Sequence, residues 1–399
     1  MKKRLKVLCI LLILIPCLPL FAADVGLLLD QTVGVNGSGG TNNFDYTGAV
    51  IPWLSAFFTE NSEFYLSAGF NADYTAETWT LVPELLRTEV SGRFSNGTYN
   101  LGRMQYSDPL GLIASGLFDG GRLSFHTTGG IISVGAWYTG LLYKNRANIA
   151  MTDSDLELVG TEVDLSNFVD TYFAPSRAIA ALGWEHPSLG GRVKANLTAL
   201  AQFDMTEDDF HTQYLIGKIT VPGSRLIFDL GGSLGLKHED GDVKTTLLGE
   251  IALSWLLPTS IDDRLMLLGR TATGSTEFMS TFIPITTVSQ GSILRTKISG
   301  ISLFSLNYSA RLSQAFALDL SSTYFMRNDF ATFYSYPVLD VENENYFLGN
   351  EFFAWVLWSP VSDLRFNAGA GIFLPSMGDV APDANSLWRL ELNAILSLY

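Results

Sequence analysis

Apolar and polar residues alternate along most of this chain with a period of two, which places neighbouring side chains on opposite faces of a strand. Between residues 225 and 237, Leu226, Phe228, Leu230, Leu234 and Leu236 share one face, and Arg225, Asp229, Ser233 and Lys237 share the other. Residues 193–205 behave alike, with Val193, Ala195, Leu197, Ala199, Ala201 and Phe203 opposing Lys194, Asn196, Thr198, Gln202 and Asp204. The alternation recurs at 316–324 and 364–372. Extended along the chain, the same template predicts strands near 25–33, 46–57, 63–74, 85–94, 98–106, 121–128, 131–143, 177–186, 191–204, 210–221, 224–237, 243–257, 264–274, 294–311, 316–326, 346–358, 363–374 and 387–398.

The connections between these strands fall into two classes. Tight ones, such as Thr59-Glu60-Asn61-Ser62, Ser95-Asn96-Gly97, Gly129-Gly130, Pro222-Gly223 and Ser359-Pro360-Val361-Ser362, contain the residues that favour hairpin turns. Alternating with them are 34–45, 75–84, 107–120, 144–176, 205–209, 238–242, 275–293, 327–345 and 375–386, mostly longer and rich in acids. An even strand count puts both chain ends on the tight-turn side. This short-long rhythm, with one apolar and one polar face per strand, predicts an all-β fold: a transmembrane antiparallel up-and-down β-barrel of about 18 strands. Sixteen strands would remain if the two weakest, 25–33 and 46–57, folded differently. Trp184, Trp255, Trp358, Phe57 and Phe58 lie beside tight turns, where an interfacial girdle places aromatics.

Residues 1–23 read as a secretory leader: a basic head Met1–Lys6, an apolar run Val7–Phe21 and a small-residue cleavage site Ala22-Ala23. The barrel is then residues 24–399, exported to the outer membrane. Both cysteines, Cys9 and Cys17, fall within the leader, so the mature chain would have neither disulfides nor thiolate metal sites. Removing the four basic leader residues leaves 21 basic against 40 acidic side chains, a formal charge of −19, which argues against a nucleic-acid partner. After the leader there is no run of 18 apolar residues, so the positive mean hydropathy does not come from a membrane helix.

The chain ends on Tyr399 after Leu390, Leu392, Ala394, Leu396 and Leu398. In this it resembles bacterial outer-membrane proteins, whose aromatic last strand is recognised by the barrel-assembly machinery; the resemblance implies that machinery as a partner. Tyr399 falls on the face of Glu391 and Asn393 and not on the apolar one, so either a bulge lies near the end or the recognition rule differs.

Candidate chemistry is confined to inward-facing charges. Arg87, Arg93, Arg103 and Arg122 form a ladder over neighbouring strands, with Lys194, Arg225 and Asp229 further round; guanidinium groups lining a pore guide anionic or hydroxyl-rich solutes. Glu89, Glu250, Asp319 and Glu391 are acids that could pair with them. Arg103 shares parity with Tyr99 and Leu101 and needs a bulge to face inward. The stretch Leu101-Gly102-Arg103-Met104-Gln105, followed by Phe118-Asp119-Gly120-Gly121-Arg122-Leu123, resembles the paired strands of the alginate-export and substrate-specific porin families. That resemblance, over about residues 84–143, implies a porin: a passive channel for small hydrophilic solutes, surrounded by outer-membrane lipid, with a homo-oligomer expected if the barrel has about 16 strands and a monomer open to a larger substrate-specific one. It also implies that loop 107–120, with Pro109, Leu112, Ile113 and Asp119, constricts the pore. Its apolar residues would be costly in an exposed loop and favourable packed inside.

No catalytic or cofactor motif is found, and the four histidines lack metal-ligand spacing, so neither an enzyme nor a cofactor is expected. The alternatives are a surface barrel whose long loops bind partners, and a fatty-acid-type transporter. The latter needs an apolar tunnel, against the polar faces at 193–205 and 225–237.

Overall fold

The computed structural model of the chain describes residues 22–75, 78–206, 208–239, 241–330 and 345–399. The expected leader lies outside them up to Phe21, as do both cysteines, Asp240 and most of the connection 327–345.

One antiparallel sheet of eighteen strands closes on itself. In chain order the strands are β1 (Ala22–Ser38), β2 (Thr41–Thr59), β3 (Ser62–Thr75), β4 (Thr78–Phe94), β5 (Gly97–Ser107), β6 (Ser115–Thr127), β7 (Gly130–Tyr138), β8 (Arg177–Leu189) and β9 (Val193–Asp204). The second half comprises β10 (His211–Pro222), β11 (Leu226–Glu239), β12 (Asp242–Leu256), β13 (Asp262–Ala272), β14 (Ile301–Arg311), β15 (Phe316–Arg327), β16 (Phe347–Val361), β17 (Leu364–Leu374) and β18 (Leu387–Leu398). Every strand pairs with its sequence neighbours, and β1 also pairs with β18, from Leu27↔Leu398 to Ser38↔Leu387. The weak first pair is therefore the seam that closes the barrel, and the count is eighteen.

The boundaries differ where the lipid pattern ends. The expected loop 34–45 is instead a continuation of β1 and β2 to a turn at Gly39-Gly40, whose positive φ angles (56° and 90°) suit a tight hairpin. A strand needs about ten residues to cross a bilayer. Beyond that length both faces meet water, so Asn36, Thr41, Asn42 and Asn43 pair in the ladder without any apolar alternation.

The outer wall carries Leu182, Leu197, Leu215, Leu230, Leu234, Ile251, Leu306, Val356, Leu390 and Leu392, all exposed. An apolar surface of this extent, on strand after strand, is the face a barrel turns to lipid. Near the tight turns, Phe316 stacks on Trp358 and Trp358 on Phe366, while Phe94 meets Phe125 edge to face. At the chain end the β18 register is unbroken from Leu387 to Leu398, so there is no bulge. Tyr399 keeps the reversed parity and its ring contacts Trp53 of β2 at 6.1 Å.

Buried apolar residues lie within the barrel, where three connections fold into the lumen. The first, 108–114, follows β5. The second, 139–176, contains the short helices α1 (Lys144–Ala147), α2 (Asp153–Gly160) and α3 (Phe168–Tyr172). The third, 273–300, precedes β14. Ile113, Ile149, Phe282, Ile285 and Ile298 pack together against Ile179, Leu200, Tyr214, Ile216 and Leu248 of the wall. A second cluster joins Ile293 and Leu294 to Phe325, Phe353 and Phe373.

Candidate functional site

The sequence places the narrowing in residues 107–120, whereas the structure divides that stretch. Ser107↔Ser115 pairing carries β6 down to Ser115, so Asp119 belongs to a strand and only 108–114 form a loop. The loop is held by one carboxylate. Asp108, itself buried, accepts the backbone N–H groups of Leu110 (2.8 Å), Gly111 (3.1 Å), Ile113 (2.8 Å) and Ala114 (2.9 Å). Pro109 precedes the turn, Gly111 takes a φ of 69°, and Leu112 and Ile113 are buried. The tip reaches the far wall: a Cβ on Gly231 of β11 would lie 2.4 Å from Leu110 Cδ2.

This loop is joined by 273–300. Ile285 and Thr286 donate their N–H groups to Ile113 O (2.8 and 3.0 Å), and Thr286 Oγ1 accepts from Ser115 N–H (2.8 Å). Thr287 donates to Asn148 O (2.7 Å), which ties in the helical connection as well. That connection has its own clamp. Arg177 of β8, fully buried, bonds Asp155 at 2.8 Å and Asp204 at 2.6 Å. Lys144, also fully buried, donates to Leu158 O and Thr161 O (2.8 and 2.5 Å) at the end of α2. Burial lowers the Lys144 ammonium below its ordinary value.

The predicted lumen charges differ in their surroundings. Arg87, 43 % exposed, bonds Glu89 at 2.7 Å and lies over the Tyr65 ring at 4.7 Å. Arg93, three pleat repeats beyond Arg87 along β4, and Arg225 are exposed, with no ion pair among the described residues. Arg122 reaches Ser133 Oγ at 3.3 Å and lines a cavity of about 180 Å³ beneath the loop 108–114, with Tyr106, Trp137 and Asn196. Lys194 bonds Glu185 at 2.9 Å, and Asp229 accepts from Thr220 Oγ1 at 2.5 Å. Arg103 is 7 % exposed, its donors taken by both Asp119 oxygens (2.8 Å each) and by the carbonyls of Leu85 and Leu141. Beside it, Gly102 has a φ of 110° and the β4–β5 ladder ends at Thr88↔Arg103.

Two further clusters form around Glu250 and Glu391, acids the sequence offered as pairing partners, but with arginines that sequence reasoning missed. Arg270 of β13 bonds Glu250 of β12 and Gln290 of the loop 273–300, with Lys218 at 3.9 Å from Glu250. Across the barrel, Arg389 of β18 bonds Glu391 (2.5 Å) and Asp45 (3.3 Å), and Arg295 of the same loop approaches Glu391 to 3.8 Å. Burial, and then the Arg389 charge, lower the Arg295 pKa from its ordinary value; burial lowers that of Lys297. Phe282-Ile283-Pro284-Ile285, apolar inside a long connection, was the overlooked signal that this loop also folds inward. Among the described residues no three His, Cys, Asp or Glu side chains converge on a metal site.

No protein-family profile and no curated protein matches the chain. Solved structures do. OccK5 (OpdH) of Pseudomonas aeruginosa superposes with a TM-score of 0.61 at 9 % identity, covering 94 % of this chain and 99 % of that one. OccK2 (OpdF) of the same organism, solved in complex with glucuronate, gives 0.61 at 12 % identity over 94 % and 96 %. The P. aeruginosa outer-membrane protein opdK gives 0.62 at 11 % identity over 95 % and 99 %. Across nearly their whole length, this chain has the fold of these P. aeruginosa barrels, opdK among them.

Proposed function

We propose that the protein is an outer-membrane porin, a passive diffusion channel for small hydrophilic solutes through a charged lumen narrowed by infolded loops. The observation that carries this reading is the division of the wall. Its outside is apolar on every side, its inside carries basic and acidic groups, and the loops that fill it enter from one end. Such an arrangement isolates a polar path from lipid.

Arg87, Arg93, Arg122, Lys194 and Arg225, with Asp229, are the proposed pore lining, and Arg103 with Asp119 supports the wall beside them. The loop residues Pro109, Leu112 and Ile113 narrow the path by packing inward. Exposed guanidinium groups attract anionic or hydroxyl-rich solutes. Glucuronate, held by a barrel of the same fold, is a solute of that chemistry. The channel requires no catalysis and no cofactor. Export by the leader 1–23, insertion by the barrel-assembly machinery and assembly into homo-oligomers complete the proposal.

The test is conductance of the purified protein in planar bilayers. Stable current steps are expected, and swelling of proteoliposomes in sugars and sugar acids should follow. Silence at all voltages from a folded, heat-modifiable barrel refutes the reading.

A further inference from the structure

Besides the Arg270–Gln290 bond and the apolar packing of Phe282 and Ile285, the loop 273–300 is held to the wall by a buried carboxylate. Glu351 of β16, 2 % exposed, directs its carboxylate into residues 292–294: Ser292 N–H donates to Oε1 (2.6 Å), and Ile293 and Leu294 N–H donate to Oε2 (2.9 and 3.0 Å). Three successive backbone donors around one anion form a nest. The chain on either side is shaped to fit. Gly291 has a φ of 84°, and a Cβ there would lie 2.8 Å from Glu351 Oε2. Arg295 has a φ of 47°, a conformation an arginine adopts only where its surroundings hold it.

That backbone conformation decides where the Arg295 guanidinium goes. Ile293 and Leu294 turn into the buried cluster with Phe325 and Phe353, while the Arg295 side chain stays 42 % exposed beside a cavity of about 210 Å³ bordered by Asn36, Asn43 and Arg389. Arg389 is compensated by close contacts to Glu391 and Asp45; among the described residues the nearest polar contacts of Arg295 are its 3.8 Å approach to Glu391 and a 3.3 Å bond to Ser292 O. It is the more accessible cation of the two.

Resting on the channel reading, we infer that Arg295 is a selectivity-determining residue and that Glu351 is its positioning residue, the carboxylate fixing residues 291–295 so that the guanidinium stands in the solute path. The loop is then a fixed element of the lumen and not a swinging gate.

The experiment is the reversal potential of the full-length protein in planar bilayers under a KCl gradient, with folding checked by heat-modifiable gel mobility. Arg295→Ala should lower the chloride-to-potassium permeability ratio about sevenfold, a factor of about 2.7 on each ion from a unit charge about 7 Å away across water, acting with opposite sign on the two. Glu351→Ala should lose the same selectivity and add current noise, and an excess of formate, whose carboxylate can occupy the vacated nest, should restore both. Glu351→Gln keeps one acceptor and fills the space, so it should be noisy and deaf to formate. Unchanged selectivity in Arg295→Ala, or a quiet, selective Glu351→Ala channel, overturns the inference while leaving the porin intact. If Glu351→Ala does not fold, Arg295→Ala and Glu351→Gln decide the matter alone. A silent wild type instead removes the channel reading itself.

Discussion

Replacing Asp108 by alanine should release the loop 108–114 into the lumen. The two carboxylate oxygens accept four backbone N–H groups between 2.8 and 3.1 Å. Leaving a buried donor unsatisfied costs about 1–3 kcal/mol. Gly111 N–H also bonds Asp108 O (3.0 Å), which alanine keeps, so at the lower end the three remaining donors sum to about 3 kcal/mol and the docked-to-released ratio should fall roughly 150-fold. The apolar contacts of Leu112 and Ile113 oppose the release, and the tie of Ile285 and Thr286 to Ile113 O would go with them. Asparagine should be little better than alanine, because its amide nitrogen would face two N–H donors where an oxygen now accepts. The assay is single-channel recording beside limited proteolysis. Larger, noisier steps and new cleavage within 108–114 are expected in both variants. Wild-type conductance and a wild-type digestion pattern in Asp108→Ala would show that packing alone holds the loop.

Other outcomes follow from the same contacts. Arg177→Leu leaves Asp155 and Asp204 buried without their cation, at about 3–5 kcal/mol, and should expose 139–176 to protease while the barrel persists. Gly231→Val collides with Leu110, costing about 1–3 kcal/mol in melting experiments, and Leu110→Ala in the same chain should recover most of it. Leu230→Arg faces outward and should cost about 2–4 kcal/mol for refolding into lipid vesicles if it sits near the bilayer midplane, whereas Asp229→Arg next to it should be nearly neutral. Burial depresses the folded pKa of Lys144, so the released loop binds more protons and docking strengthens as the pH rises toward about 10. Protease protection of 139–176 that falls over that rise contradicts the assignment.

Strand number and face were legible because the period of two depends only on local backbone geometry and on which medium each face meets. Leu226, Phe228 and Leu230 lie on the outer wall as their spacing predicts. The alternation became silent where both faces are wet, which is why Asn36 to Asn43 read as a loop. Arg103 shows a different limit: its parity could be read, but its partner Asp119 and the two carbonyls that hold it come from three other segments.

By itself, then, the sequence determined a closed barrel with an apolar exterior and a charged interior, since those properties repeat strand by strand. Only the tertiary structure decided what narrows the lumen. Ser115 meets Thr286 across 171 residues, Glu351 grips residues 292–294 across 57 to 59, and Arg389 pairs with Asp45 across 344. Contacts of that span exist because closing the sheet brings its far ends together and leaves the loops apolar surface to cover only inside the lumen, on one another and on the inward side of the wall. No local periodicity records that geometry.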